Sequence, residues 1–407
     1  MAVTFHEKRL SSGVSVLGEI DPAAHSSAVG YFVRTGTRDE ERIDMGVSHF
    51  LEHMLFKGTD DLDADALNRA FDAMGARHNA YTSSEQTCYH AQVVPERAGE
   101  AIELIGRMLR PALRDADFDT EKGVILEEIA MYDDEPFWVL YEKVAERFYE
   151  GHPLGYRTLG TKESITALTS GQMRAYFDRR YAPDNVHVAL AGRIDFDRAC
   201  EQIERLTSAW TPSRDAHARS TPGATGGRFD VRDDKVSRGY VLSLAAAPSA
   251  QDERRYAAAL ASQALGAPGN SRLHWSLIEP GIAEEAQASY DPHDGCGAWF
   301  VFASGEPERI DEVWDVCVRE AKGLADAITQ DDLERLRAKI RTGVTIGGER
   351  PSDRMQRLGR MRCVRSDYLS LEDELASLAR VTLKDVRDVL AAFPIERSMV
   401  GTLRPAT

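Results

Sequence analysis

The stretch Met45-Gly-Val-Ser-His-Phe-Leu-Glu-His-Met-Leu-Phe56 sets two histidines and a glutamate in a run that is otherwise almost wholly apolar. Read as a helix between Asp44 and Gly58, it places His49 and His53 four residues apart on one face, with Glu52 beside them. The order His-x-x-Glu-His is the inverted form of the His-Glu-x-x-His zinc motif. Those five letters alone arise by accident in on the order of one chain in a hundred of this length, so the surroundings decide. Among Phe50, Leu51, Met54, Leu55 and Phe56, each ionisable group would cost roughly several kcal/mol if buried without a partner. A bound cation removes that cost, and a metal is therefore expected here.

A second apolar helix bearing carboxylates is predicted over Phe118 to Tyr132. At helical spacing Glu121, Val124, Ile125, Glu128 and Tyr132 fall in one line, whereas Glu127 points away from it. Glu128 is therefore the better candidate for a third ligand. The plainer reading makes Glu127 and Glu128 two solvated surface acids. It weakens because His49 and His53 need a third partner.

The 407 residues exceed one ordinary core and suit two domains. With 43% hydrophobic and 29% charged residues, the composition is that of a globular protein. The longest apolar run falls far short of the ~20 residues that span a bilayer, so no membrane partner is expected. The start, Met1 to Leu10, lacks a basic segment followed by an apolar one, and the expected location is cytoplasmic. Cys88, Cys200, Cys296, Cys317 and Cys363 are scattered and unpaired in spacing, which suits buried apolar side chains or free thiols. A net charge of −16 argues against nucleic acid as a partner and favours cationic peptides.

In chain order, strands are predicted over Val14 to Ile20 and Ser27 to Thr35, ahead of the histidine helix. A helix follows over Ala64 to Met74, then a hairpin rich in Tyr and Thr over His78 to Val94, and a further helix over Glu96 to Leu109. Helices near Phe137 to Glu150, Ile165 to Leu168 and Ser170 to Tyr181 precede a strand at Val186 to Ala191. Residues 213–227 are poor in large apolar side chains and rich in Pro, Gly, Ser and Thr, the composition of a linker between domains at 1–212 and 228–407. Beyond it, Gly239 to Leu244 and then Asp252 to Leu265 repeat the order strand, then long helix. That helix has no histidine, so the second half reads as a copy that kept the scaffold and lost the metal site.

Three segments, Gly46 to Thr59, Asn79 to Thr87 and Val124 to Tyr132, together resemble the pitrilysin and insulin-degrading-enzyme family of zinc peptidases. The similarity is greatest to the branch that includes the mitochondrial processing peptidase beta subunit. Weaker likeness extends to Pro351 to Gly359. The resemblance implies an α+β fold of two homologous domains, each an antiparallel β-sheet packed with α-helices, forming half of a peptidase chamber. It implies one Zn2+ held by His49, His53 and Glu128, with Glu52 as general base and Glu121 as a supporting carboxylate. Asn79, Ala80, Tyr81 and Thr82 match the edge to which substrate is added as an extra strand. The implied activity is that of a metalloendopeptidase acting on extended peptides or unfolded segments. A non-catalytic structural or assembly subunit on the same fold is the alternative.

One segment departs from the family pattern. Where active single-type chains carry a stretch similar to Lys-Arg-Gly-Leu-Ala-Tyr, this chain reads Glu279-Pro-Gly-Ile-Ala-Glu284. The arginine and tyrosine taken to hold substrate backbone are replaced by Pro280 and Glu284. The expectation is a heterodimer in which a homologous subunit supplies the Arg and Tyr, with a homodimer as the alternative.

Overall fold

The computed structural model of the chain describes residues 3–213, 219–365 and 367–406. Part of the expected linker, residues 214–218, lies outside the described residues. The strands in order are β1 (Thr4–Arg9), β2 (Ser15–Ile20), β3 (Ser27–Val33), β4 (Arg77–Thr82), β5 (Thr87–Val93), β6 (Val186–Gly192), β7 (Gly227–Asp233), β8 (Gly239–Ala247), β9 (Glu285–His293), β10 (Cys296–Gly305) and β11 (Ser398–Pro405). The helices of the first half are α1 (Val47–Leu55), α2 (Ala64–Ala73), α3 (Ala98–Met108), α4 (Asp115–Tyr132), α5 (Pro136–Phe148), α6 (Lys162–Ala167), α7 (Ser170–Arg180) and α8 (Phe196–Thr207). Those of the second are α9 (Arg255–Gly266), α10 (Ile310–Ala327), α11 (Gln330–Gly347), α12 (Pro351–Val364), α13 (Leu371–Arg380) and α14 (Leu383–Ala392). Among the described residues no helix is long and apolar enough to cross a membrane.

The strands form two sheets, ordered β1-β2-β6-β3-β5-β4 and β7-β11-β8-β10-β9. Apart from β1, the second repeats the first strand for strand, down to one parallel pair in each: β2 with β6, and β7 with β11. The sheets are thus mixed, not purely antiparallel. Long helical crossovers separate the two members of each parallel pair, which frees them from the alternation that a hairpin imposes. The fold is α+β, two sheet-plus-helix units of common plan.

By packing, one unit comprises residues 1–129, 157–219 and 346–368, and the other 130–156, 220–345 and 369–407. The expected bounds 1–212 and 228–407 follow the order of the chain; the packing units do not. Helix α5 lies in the first half of the sequence, yet its Leu140, Val144 and Phe148 pack on Leu242, Phe302 and Leu403 of the second sheet. Helix α12 comes from the second half, yet its Met355, Leu358 and Cys363 pack on Ala28, Phe32 and Ala189 of the first.

This cover explains why every residue of β3 is buried, although alternation would bury only Val29, Tyr31 and Val33. The fit is close enough that a Cβ on Gly359 would meet the Phe32 ring at 2.1 Å. Glu19 of β2, itself buried, pins the same helix through Arg354 at 2.7 Å and Arg357 at 2.5 Å. All five cysteines are free and four are buried, as their scatter implied.

Candidate metal centre

Helix α1 starts at Val47, not beside Asp44, with Gly46 as its cap at φ 93°. That left-handed backbone favours glycine, and a Cβ there would also lie 2.6 Å from the Leu159 carbonyl oxygen. At the start of the helix the Glu40 carboxylate accepts from the cap amide Gly46 N and from Ser48 N of the first turn, both at 2.8 Å. Burial pushes Glu40 up to about 8, against the hydrogen bonds that favour its charged form. No spacing in the sequence pointed to this contact.

Helix α4 is held against α1 by Phe118 stacked on Phe50, with ring centres 4.7 Å apart. Its phase sets Glu121 inside, Glu128 half-buried facing the histidines, and Glu127 exposed. Val124 does not share that face: it is 44% exposed. The useful line is therefore 121, 125, 128, narrower than the expected one.

Ligand-type atoms of His49, His53 and Glu128 all lie within 4.8 Å of one another. Glu128 Oε2 stands 3.8 Å from His49 Nε2 and 3.7 Å from His53 Nε2. His53 Nδ1 is 2.8 Å from Glu121 Oε1. A proton on Nδ1 directed at that carboxylate leaves the Nε2 lone pair for a metal, the usual outer support of a ligating imidazole. Glu121 is bound in turn by Lys57 Nζ at 2.5 Å. Burial would raise the Glu121 carboxyl, but the hydrogen bonds and charge of Lys57 and His53 hold it below the usual carboxylate range. Lys57 lies in the turn just past the end of α1, so helical spacing from His53 does not point to it.

His49 Nδ1 is buried without a hydrogen-bond partner among the described residues. Burial, and then the neighbouring His53, lowers the His49 imidazole to about 3, so it stays neutral and keeps a lone pair to donate. Two neutral-capable imidazoles and a carboxylate on one point, with no side-chain cation among them, form a donor set that fits a divalent metal. Glu52 flanks the group without joining it. Its Oε2 accepts from Thr82 Oγ1 at 2.5 Å. Burial raises its pKa, the Thr82 bond and His53 oppose, and Glu128 adds to the rise.

Asn79, Ala80, Tyr81 and Thr82 lie on β4, the edge strand of its sheet, which among the described residues pairs only with β5. Thr82 faces Glu52, whereas Tyr81 faces α12 and donates to Gln356 Oε1 at 2.7 Å. The four residues thus divide between the two faces of the sheet.

A pH dependence follows from His49. Its folded pKa of about 3 lies below the ordinary 6.5, so between those values the unfolded chain binds more protons than the folded one. Stability of the metal-free protein should therefore fall as pH drops below about 6.5 and be indifferent to this group above it. Urea midpoints at pH 7.5 and 5 for wild type and His49→Asn measure it. An undiminished loss in the variant would rule His49 out as the cause.

The sequence matches the family description Insulinase (Peptidase family M16) over residues 15–162 and Peptidase M16 inactive domain over 167–340. It is 30% identical to an uncharacterized zinc protease of Streptomyces coelicolor, across 98% of this chain and 90% of that one. It is 33% identical to an uncharacterized zinc protease of Mycobacterium tuberculosis, across 97% of this chain and 92% of that one. In three dimensions it is similar to a protease from Helicobacter pylori, with a TM-score of 0.91 at 20% identity over all of both chains. The first matched description spans the histidine helix and Glu128, and the second, which begins before α7, includes the corresponding helix α9, which has no histidine. The chain belongs to the insulinase family of peptidases, the pitrilysin group with the inverted zinc motif.

Proposed function

We propose that this chain is a zinc-dependent endopeptidase that hydrolyses extended peptides or unfolded segments. The observation that carries the reading is the convergence of His49, His53 and Glu128 beside a buried Glu52 whose partner, Thr82, belongs to an open sheet edge. His49, His53 and Glu128 would hold a zinc ion, which when bound would supply a Lewis acid and lower the pKa of water towards neutrality. Glu52 would take a proton from water and return it to the leaving amine, and burial raises its pKa. Glu121 keeps His53 in the required tautomer, and Lys57 keeps Glu121 charged. Thr82 holds the Glu52 carboxylate in place. The unpaired side of β4 offers backbone groups to an extended chain, so that main-chain bonds bind and side chains select.

The subunit arrangement is part of the same proposal. Segment Glu279–Glu284 leaves a π-helical turn at His274–Ile278, bends at Gly281 with φ 68°, and enters β9. Glu284 pairs with Arg238 at 2.5 Å, so its carboxylate is held by a cation of its own chain. The absence of the Arg and Tyr from this segment, with Pro280 and Glu284 in their places, is what favours a partner of homologous fold that brings them. The test combines metal analysis with cleavage of an internally quenched peptide, first by the isolated chain and then with the candidate partner. Zinc near one per chain and turnover that rises on mixing are expected. Full turnover alone, with no gain on mixing, would favour the homodimer; bound zinc with no hydrolysis in either case would favour a metal-binding scaffold without proteolysis, and neither zinc nor hydrolysis the assembly subunit.

A further inference from the structure

The two faces of the open edge differ in charge. Residues alternate in side along a strand, so His78, Ala80 and Thr82 share the face of Glu52, and Arg77, Asn79 and Tyr81 share the other. On that other face Arg77 and Asn79 are exposed. The exposed Arg360 of α12 sets its guanidinium 6.0 Å from the centre of the Tyr81 ring. The cross-strand neighbours on β5 are Gln92, His90 and Cys88, none of them negative. Elsewhere on α12 the arginines are matched, Arg354 and Arg357 by Glu19 and Arg362 by Glu7. Arg77 and Arg360 pair with no carboxylate among the described residues.

A strip of positive charge therefore borders this edge in a chain whose net charge is −16. We infer that Arg77 and Arg360 determine specificity: a peptide added to β4 is selected for Asp or Glu at the alternate positions that face away from Glu52. The inference rests on the proposed addition of substrate as a strand, and it deepens that reading. It opposes, at those positions only, the preference for cationic peptides that net charge alone implies. Long-range charge governs approach, whereas docked side chains meet the local groups.

The test uses full-length Glu52→Gln protein loaded with zinc, so that binding is read without hydrolysis. Labelled peptides of one length and backbone carry Asp, Ala or Arg at every second position, in both phases, and affinity is read by fluorescence anisotropy. In one phase the Asp peptide should bind about three- to tenfold tighter than the Arg peptide at low salt, a range suited to two exposed ion pairs. The ratio should shrink in about 0.5 M salt. It should also invert when Arg77→Glu and Arg360→Glu are combined in that protein. Metal content checks that the charge-reversed protein keeps its site. Equal affinities, a preference for Arg in both phases, or a ratio unmoved by charge reversal would overturn the inference and leave the peptidase reading standing. Failure of every peptide to bind, both to the chain alone and in the presence of the candidate homologous partner, would overturn both.

Discussion

Glu52→Gln should retain bound zinc at the wild-type level while peptide hydrolysis falls by about a hundred- to ten-thousandfold, the usual worth of a positioned general base. The change keeps the shape of the side chain and its place beside Thr82 but removes the group that can hold a proton from water. Glu52 lies outside the cluster formed by His49, His53 and Glu128, which is why metal content should not follow activity. The measurement is single-turnover cleavage of a quenched peptide at saturating protein, beside metal analysis of the same sample. Substantial turnover at full zinc occupancy would falsify the role of Glu52. Parallel loss of zinc and activity would instead make Glu52 part of the metal-binding set.

The second large effect separates two adjacent carboxylates. Glu128→Gln should weaken zinc binding by more than the roughly 10–100-fold that loss of an outer supporting group costs, because a ligand oxygen is replaced by a neutral amide. Glu127→Gln should leave affinity within about twofold, as is usual for an exposed surface change. The contrast comes from helix phase: Glu128 Oε2 lies within 4 Å of both histidine Nε2 atoms, at 3.8 and 3.7 Å, and Glu127 is exposed. Competition titrations against a chelator decide it. A reversed order would put the metal on the other side of α4.

What could be read ahead of the structure depended on the range of the contacts involved. His49, Glu52 and His53 lie within one turn and a half, where helical periodicity alone fixes their common face. The choice of Glu128 over Glu127 also needed only phase. Periodicity failed for Val124, which lies at the margin of the stripe, and for the start of α1, where a residue six positions upstream caps the helix. Glu40 contacts the cap by folding the chain back, and no local pattern records that. The buried β3 misled for a similar reason: alternation describes a strand with one wet face, and here a helix from more than three hundred residues away covers the second. The duplicated plan was visible in the order of elements. The exchange of α5 and α12 was not, because nothing in the composition of a helix states which sheet it will cover.

That exchange bears on how the chain can be made and divided. A polypeptide synthesised from its N-terminus completes β1 to β6 some 160 residues before it reaches α12, so Ala28, Phe32 and Ala189 wait uncovered while that stretch is made. A fragment stopped in the linker would expose that apolar face permanently and carry α5 without the sheet it covers; the complementary fragment would hold α12 without its own. Each half of the sequence is in this sense the other's chaperone. Committed folding is deferred until nearly the whole chain exists, and a break in the linker after folding leaves two pieces that still depend on each other's helix.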